Sequence, residues 1–371
     1  MRTWRYLVAD EVGSAEGLAT DEAITASYSR ASGGRPPTVR LYTYRSHCAL
    51  VGRYQHLEAE LRLDECVRRG VEVNRRPTGG GAIVMGAGQL GVAICAPAPA
   101  EKRPRELLEQ FSGGIVAGLA RLGIAAEFRG KNDLAVNGRK IAGLGLYLNG
   151  SGGLLFHASV LADLDIPFML SVLDVPAAKL GDRAVTAVGE RVTTATRETS
   201  QQWDGARLRP VVAAGLSEVL GVDLEPGDLD QSERDLTSRL VEDRYSSEAW
   251  KREYSPRSDA TATATVRLGV GTCRVYLALH GRTVKSVLFT GDFNSVPAPL
   301  VQIEEQLRWK RLDRGLVGEV VRRCLAGHSE LGDPEAVIAA LSEAAERAAE
   351  PSESAPDRSG SCYFPEVVNA R

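Results

Sequence analysis

The stretch from Thr38 to Leu161 constrains the fold more than any other feature. Its strand-like runs are joined by connections too short for regular βαβ crossovers. Parallel neighbours need a crossover of a dozen or more residues, whereas a two-residue turn can join antiparallel ones. Thr38–Arg45, Ala49–Tyr54, Val71–Arg76 and Leu90–Ala96 read as strands, the second as partner of the first. Asn137-Gly138, between Asp133–Val136 and Arg139–Ile141, is the pair that a type I′ turn demands, because both central residues take positive φ. A second hairpin turns near Asn149–Gly153 and leads into Leu154–Leu161. Helices are expected over 14–30, with Ser14 as the cap, over 57–69, and over 103–122, where Leu107, Leu108, Phe111, Ile115, Leu119 and Leu122 keep helical spacing. The expected fold class is α+β: a mixed, largely antiparallel sheet with flanking helices.

Residues 168–250 read as mostly helical, and the composition shifts at Tyr254-Ser-Pro-Arg-Ser-Asp259. Strands near 261–266, 274–279 and 284–290, then helices near 299–308, 314–327 and 334–350, suggest a second, small α+β unit. The expected divisions are residues 1–254, 255–350 and a Pro/Ser-rich tail, 351–371.

Lys and Arg number 45 against 48 Asp and Glu, a net charge of −3, so no bulk basic field points to nucleic acid. No apolar run approaches the roughly 18 residues of a membrane span. The opening Met1–Asp10 meets an acid too early for a signal peptide, which suggests a cytoplasmic protein. The six cysteines are scattered without a Cys-x-x-Cys pair, which argues against a disulfide framework and a zinc site.

Three segments carry candidate chemistry. In Arg75-Arg76-Pro77-Thr78-Gly79-Gly80-Gly81-Ala82-Ile83, consecutive glycines let backbone N–H groups approach an anion, and the arginines add charge; a hairpin loop with solvated arginines is the plainer reading. Asn132-Asp133 offers oxygen atoms suited to Mg²⁺. Lys140, just past the Asn137-Gly138 turn, is either a solvated lysine or a cation aimed at the glycine site. His157, in Phe156-His-Ala-Ser159, is either a core histidine or part of the same site.

Taken in order, Arg-Arg-Pro-Thr-Gly-Gly-Gly-Ala-Ile, Lys-Asn-Asp-Leu-Ala-Val-Asn-Gly-Arg-Lys-Ile-Ala-Gly and Phe-His-Ala-Ser-Val-Leu-Ala-Asp-Leu-Asp resemble the lipoate–protein ligase A family. Thr20-Asp21-Glu22-Ala23 and Val51-Gly52-Arg53-Tyr54-Gln55 resemble its opening. The likeness spans roughly 1–250, with 255–330 similar to the accessory domain of longer members. It implies the fold shared with biotin–protein ligases and class II aminoacyl-tRNA synthetases. It also implies ATP-dependent activation of lipoate, or octanoate, to acyl-AMP, with Mg²⁺, and transfer to a lysine of a carrier such as glycine cleavage H protein or a 2-oxoacid dehydrogenase E2 domain. By the same resemblance Lys140 and Arg76 are the catalytic cations. Thr78, Gly79, Gly80, Gly81, Ala82 and Ile83 form the adenylate and acyl loop. Asn132 and Asp133 lie at the nucleotide, Asp133 toward the metal, and Gly143 and His157 complete the wall.

Two departures from the family pattern stand out. Met85-Gly86 replaces the usual His-Asp, and Gly143-Leu144-Gly145 replaces Gly-Ser-Ala, which makes the expected pocket more apolar, with Met85, Leu144 and Leu146 toward the acyl chain. A cysteine-dependent octanoyltransferase of the same superfamily, which needs no ATP, is an alternative. Its cysteine is expected just ahead of Asn132-Asp133, and residues 121–133 contain none. A non-catalytic lipoyl- or adenylate-binding protein is a second alternative. In the tail, Cys362-Tyr363-Phe364 either docks on a neighbouring surface or covers the acyl site.

Overall fold

The computed structural model describes residues 2–28, 35–99, 101–174, 183–256, 260 and 262–349. They fall into two compact units: the described residues of Met1–Ser255 with Thr290–Val296, and those of Pro256–Phe289 and Pro297–Arg371.

The strands of the larger unit are β1 (Arg2–Val12), β2 (Thr38–Tyr44), β3 (Cys48–Val51), β4 (Glu72–Arg75), β5 (Ile83–Met85), β6 (Gln89–Pro97), β7 (Glu127–Arg129), β8 (Asp133–Val136), β9 (Arg139–Leu148), β10 (Gly153–Leu161) and β11 (Val222–Pro226). Eight of them form one sheet in the order β11-β1-β2-β6-β10-β9-β8-β7. β1 runs parallel to β2 and β11, and every ladder from β2 through to β7 is antiparallel. The mixed, largely antiparallel sheet expected from the short connections is therefore present. Asn137 (φ 49°) and Gly138 (φ 79°) form the expected tight turn between β8 and β9.

Both faces of the sheet are covered. On one, the helices Pro104–Ala120 and Gly205–Leu220 bury Phe111, Ile115, Leu119, Leu208, Val212 and Leu216 against Leu41, Val92 and Phe156. These two helices approach closely: a Cβ on Gly215 would lie 2.2 Å from the Gly114 carbonyl oxygen. On the other face, Leu18 and Ile24 of the helix Ser14–Ala26 meet Tyr42, Tyr44 and Leu155. All seven residues of β2 are accordingly buried.

Several elements differ from expectation. β3 does not pair with β2; it lies in a small separate sheet, parallel to β4 and antiparallel to β5. The helix expected over 57–69 is broken into Leu57–Glu60 and Leu63–Arg68, because Leu61 leaves it to bridge Leu173 and the Arg62 N–H donates to the Val172 carbonyl at 2.9 Å. Ser14 is not a cap. Gly13 holds that position, and the Ser14 backbone N–H donates to Glu72 Oε2 at 2.7 Å, so a carboxylate distant in sequence satisfies the helix start. β1, and β11 within the largely helical 168–250 stretch, carry no expectation in the sequence reading.

In the smaller unit β12 (Ala262–Leu268) pairs antiparallel with β13 (Gly271–His280), and β14 (Thr283–Gly291) follows on the other side of β13. The helices Ala298–Leu307, Arg314–Leu325 and Pro334–Ala349 complete its α+β architecture. No described helix is long and apolar enough to cross a membrane.

Candidate active site

Register across the sheet builds the floor of a cavity of about 130 Å³. One row runs Tyr42–Gly91–Ser159–Gly143–Asp133, and the next Arg40–Ala93–His157–Gly145. Polar side chains thus alternate with glycine or alanine along each row. The small residues leave the space that their neighbours fill: a Cβ on Gly91 would lie 2.6 Å from the Tyr42 ring, and one on Gly145 would lie 3.2 Å from Thr78 Cβ.

Lys140 joins this floor through a bulge. Leu134 pairs with Ala142, but Ala135 pairs with Lys140, so Ile141 is an extra residue on β9. Without it, residues 140 and 143 would point to opposite faces; the bulge turns both to one face. A Cβ on Gly143 would lie 3.0 Å from Lys140 Nζ. The ammonium pairs with Asp133 Oδ1 at 2.7 Å, and both side chains are more than a third exposed. On its other edge the Lys140 backbone bonds to Arg191 and Thr193, which holds the bulge in place. Asn132 Nδ2 donates to the Leu144 carbonyl at 3.2 Å.

The glycine loop is held differently from a simple anion nest. Gly80 takes φ 92°, a conformation that glycine favours, and its N–H donates to the Phe293 carbonyl at 2.9 Å. A Cβ on Gly79 would strike the same carbonyl oxygen at 2.0 Å, whereas one on Gly81 would meet nothing within 4 Å. Arg76 is buried and donates to the carbonyls of Leu50, Gly79 and Gly81 at 2.7–2.9 Å. Burial lowers its guanidinium to about 10, which still leaves it charged at neutral pH. Arg76 therefore braces the loop while its positive charge stays on the cavity wall. Arg75 is also buried, bonded to the carbonyls of Gly52, Arg53, Gln55, Trp250 and Lys251.

Of the residues singled out in the sequence, the cavity brings together Arg76, Thr78, Gly80, Gly81, Ala82, Ile83, Asn132, Lys140, Gly143 and His157. Gly79 lies behind it against Phe293, and Asp133 reaches it through Lys140. Leu18, Leu50 and Met85 supply apolar wall. Leu144 touches the cavity too, but Leu146 packs with the core on the other face, because Gly143 and Gly145 are the cavity-facing residues of β9.

A buried ionic network that the sequence reading missed stands behind His157. His157 Nε2 lies 2.6 Å from Asp21 Oδ2, and Arg40 Nη1 donates to Asp21 Oδ1 at 2.6 Å. The Tyr42 hydroxyl donates to Asp21 Oδ2 at 3.1 Å. Asp21 is fully buried. Burial alone would raise its carboxyl, yet Arg40 and His157 outweigh that and hold it below the usual carboxylate range. Burial pushes the Tyr42 phenol well up, so it remains a hydrogen-bond donor. Asp21 and His157 are separated by 136 positions, and only the three-dimensional register joins them.

Among the described residues no cysteine lines the cavity. Cys48, Cys66 and Cys95 are buried, and burial raises each thiol. Cys362, Tyr363 and Phe364 lie outside the described residues. Among the described residues no cluster of three or more His, Cys, Asp or Glu could hold a metal.

A family model described as the lipoyl protein ligase A/B catalytic domain matches residues 14–217, more than half of the chain. The chain belongs to this lipoyl ligase A/B family. It is 28% identical over 276 residues to an octanoyltransferase, LipM, of Brevibacillus brevis, an alignment covering 67% of this chain and 99% of that relative. It is 27% identical to lipoate-protein ligase A subunit 1 of Thermoplasma acidophilum, covering 66% of this chain and 95% of that one. Among solved structures, the bipartite lipoate protein ligase of T. acidophilum, studied with its E2 lipoyl domain, superposes with a TM-score of 0.62 at 26% identity, over 70% of this chain and 99% of that one. A lipoate-protein ligase A bound with ATP superposes with a TM-score of 0.60 at 25% identity, over 68% and 99%. The family thus contains relatives named both as ligases and as octanoyltransferases.

Proposed function

We propose that this family member is an ATP-dependent ligase that activates lipoate, or octanoate, to acyl-AMP and transfers the acyl group to a lysine of a lipoyl carrier domain. The observation that carries this reading is the Lys140 ammonium over Gly143, facing a cavity in which no described cysteine stands. Carboxylate attack on a phosphate joins two anions, and an ordered cation lowers that barrier. In this reading Lys140 takes the carboxylate and the α-phosphate, while Asp133, 2.7 Å from its ammonium, orients it. Arg76 contributes field from the wall and holds the loop of residues 78–83. Leu18, Leu50 and Met85 bury the acyl chain. AMP is a good leaving group, so the carrier amine can attack without a protein nucleophile.

Mg²⁺ fits as a companion of the nucleotide. It is ordinarily held by one or two carboxylates and substrate phosphates, not by an all-protein cage. Asp133 supplies one such carboxylate, and Asn132 lies beside it. Bound there, the ion would neutralise phosphate charge. In this reading residues 1–254 form the catalytic domain and 255–350 the accessory domain. The carrier is a lipoyl domain of the glycine cleavage or 2-oxoacid dehydrogenase type, in line with the E2 domain partnered by the Thermoplasma ligase.

A second reading, thioester-forming octanoyl transfer, is favoured by the relatives named octanoyltransferase at 27–29% identity. It requires a reactive thiol at the acyl carbonyl. Pyrophosphate release on adding ATP and lipoate separates the two readings. The ligase releases it and tolerates Cys362→Ser, whereas the transferase does neither if Cys362 is its nucleophile.

A further inference from the structure

We propose that Asp21 is a positioning residue that fixes His157 as the proton acceptor for the incoming carrier lysine in the transfer step. This rests on the acyl-adenylate reading above. The argument begins with the ring nitrogens. Asp21 is ionised, held so by Arg40 at 2.6 Å and by the Tyr42 hydroxyl at 3.1 Å. An ionised carboxylate can only accept, so the 2.6 Å contact requires His157 Nε2 to carry the proton and donate it. In the neutral ring Nδ1 is then the nitrogen that carries the lone pair. It has no hydrogen-bond partner among the described residues, and His157 lines the cavity.

A histidine merely filling a core would not need this support. Asp21 is held by Arg40 and Tyr42, and Arg40 is fixed in turn: it donates to the Gly17 carbonyl at 3.0 Å and stacks 4.1 Å from the Tyr42 ring centroid. A buried, braced carboxylate behind an imidazole sets its tautomer and stabilises the imidazolium that forms when the open nitrogen takes a proton. His157 is opposite Gly145 and one alternation along β10 from Ser159, which pairs with Gly143 under the Lys140 ammonium. The acceptor and the activating cation therefore share one floor.

The step balances. The neutral carrier amine attacks the acyl carbonyl carbon; the C–N bond forms as its N–H proton passes to His157 Nδ1. The bond from the acyl carbon to the AMP oxygen breaks, and AMP leaves with that electron pair. The imidazolium then returns its proton to solvent. General-base help of this kind is worth about 10²–10⁴ in rate.

The test supplies pre-formed lipoyl-adenylate and a lipoyl carrier domain to the full chain, so that ATP activation is bypassed, and measures single-turnover amide formation. His157→Ala is expected to slow transfer at least thirtyfold, and added imidazole to restore a substantial part of it. Asp21→Asn is expected to lower the maximal single-turnover transfer rate about tenfold or more, with the half-saturating carrier concentration within about twofold of the parent. Transfer by His157→Ala within threefold of the parent, or slow transfer unaffected by imidazole in a folded variant, overturns the proposal. Should Asp21→Asn not fold, the His157→Ala and imidazole result decides. A parent protein that cannot use the supplied adenylate refutes the ligase reading itself, an outcome visible before any variant is compared.

Discussion

Lys140 and Gly143 share one face of the sheet because Ile141 is an inserted bulge residue between them. The Lys140 ammonium occupies the space that a side chain at position 143 would take. Lys140→Ala is expected to fold normally and lose about 3 kcal/mol of transition-state stabilisation, roughly a hundredfold or more in adenylate formation. Lys140→Arg should fail similarly, since a planar fork does not replace a compact ammonium. Gly143→Ala should cost less, because the tip of Lys140 can shift. Pyrophosphate release rates check all three, and near-normal release by Lys140→Ala would remove the residue from the reaction.

The three glycines of the loop should respond unequally. Gly79→Ala drives a methyl into the Phe293 carbonyl, and Gly80→Ala forces φ 92° on a residue with a Cβ. Gly81→Ala meets open space. Urea unfolding should show Gly79→Ala destabilised by more than about 2 kcal/mol and Gly81→Ala within about 0.5 kcal/mol of the parent. Equal effects would contradict the loop geometry.

The Asp21–Arg40 pair carries a pH signature. The folded-state pKa of Asp21 lies below its unfolded value. Its stabilising contribution is therefore present above the ordinary carboxylate pKa and is lost as pH falls toward the depressed folded value. Arg40→Ala takes the guanidinium from the buried carboxylate, leaving it His157 and the Tyr42 hydroxyl, and should cost about 3–5 kcal/mol at pH 7. The loss should shrink in acid, where the carboxylate protonates. A pH-independent difference in unfolding midpoints would refute this.

Glu304, in the smaller unit, titrates with the opposite sign. Burial raises its carboxyl to about 7, although the Phe289 N–H donates to it at 2.6 Å. A raised carboxyl pKa means that the folded state holds the proton more tightly, so stability falls as pH rises from the unfolded value of 4.5 through 7. Glu304→Gln keeps the acceptor and should flatten that fall, giving a variant more stable than the parent at pH 8. Thermal unfolding from pH 5 to pH 8 checks it.

With Leu18, Leu50 and Met85 on the wall, the site should prefer lipoate or octanoate to biotin. Seated against those three side chains, the biotin ureido group would lack hydrogen-bond partners, at about 1–3 kcal/mol per unsatisfied polar atom. Biotin accepted as readily as lipoate would contradict the apolar assignment.

What the sequence made legible was local chemistry. The Asn137-Gly138 turn was readable because positive φ at two successive residues admits few pairs, and Lys140 and the glycine run stood out by type and spacing. The Ile141 bulge was not readable, since nothing in Lys-Ile-Ala-Gly marks an extra residue. The register alternation of His157 and Ser159 with Gly143 and Gly145 depends on pairings between separate strands. Asp21 drew no role because its partners Arg40 and His157 come from distant stretches of chain. Arg76 was readable as charge, but its use of carbonyls to brace the loop follows from burial that no linear pattern reveals. β3 was misassigned because an apolar run shows that a strand is buried without naming its neighbour.

The central claim is that this cavity makes an acyl-adenylate. Its most direct test is mass spectrometry of the full-length protein after incubation with ATP, Mg²⁺ and lipoate or octanoate, with the carrier omitted. The ligase account predicts retained lipoyl- or octanoyl-AMP, with pyrophosphate in solution and no covalent adduct on the protein. Neither adenylate nor pyrophosphate, together with an octanoyl thioester on a cysteine after incubation with an octanoylated carrier, would contradict it.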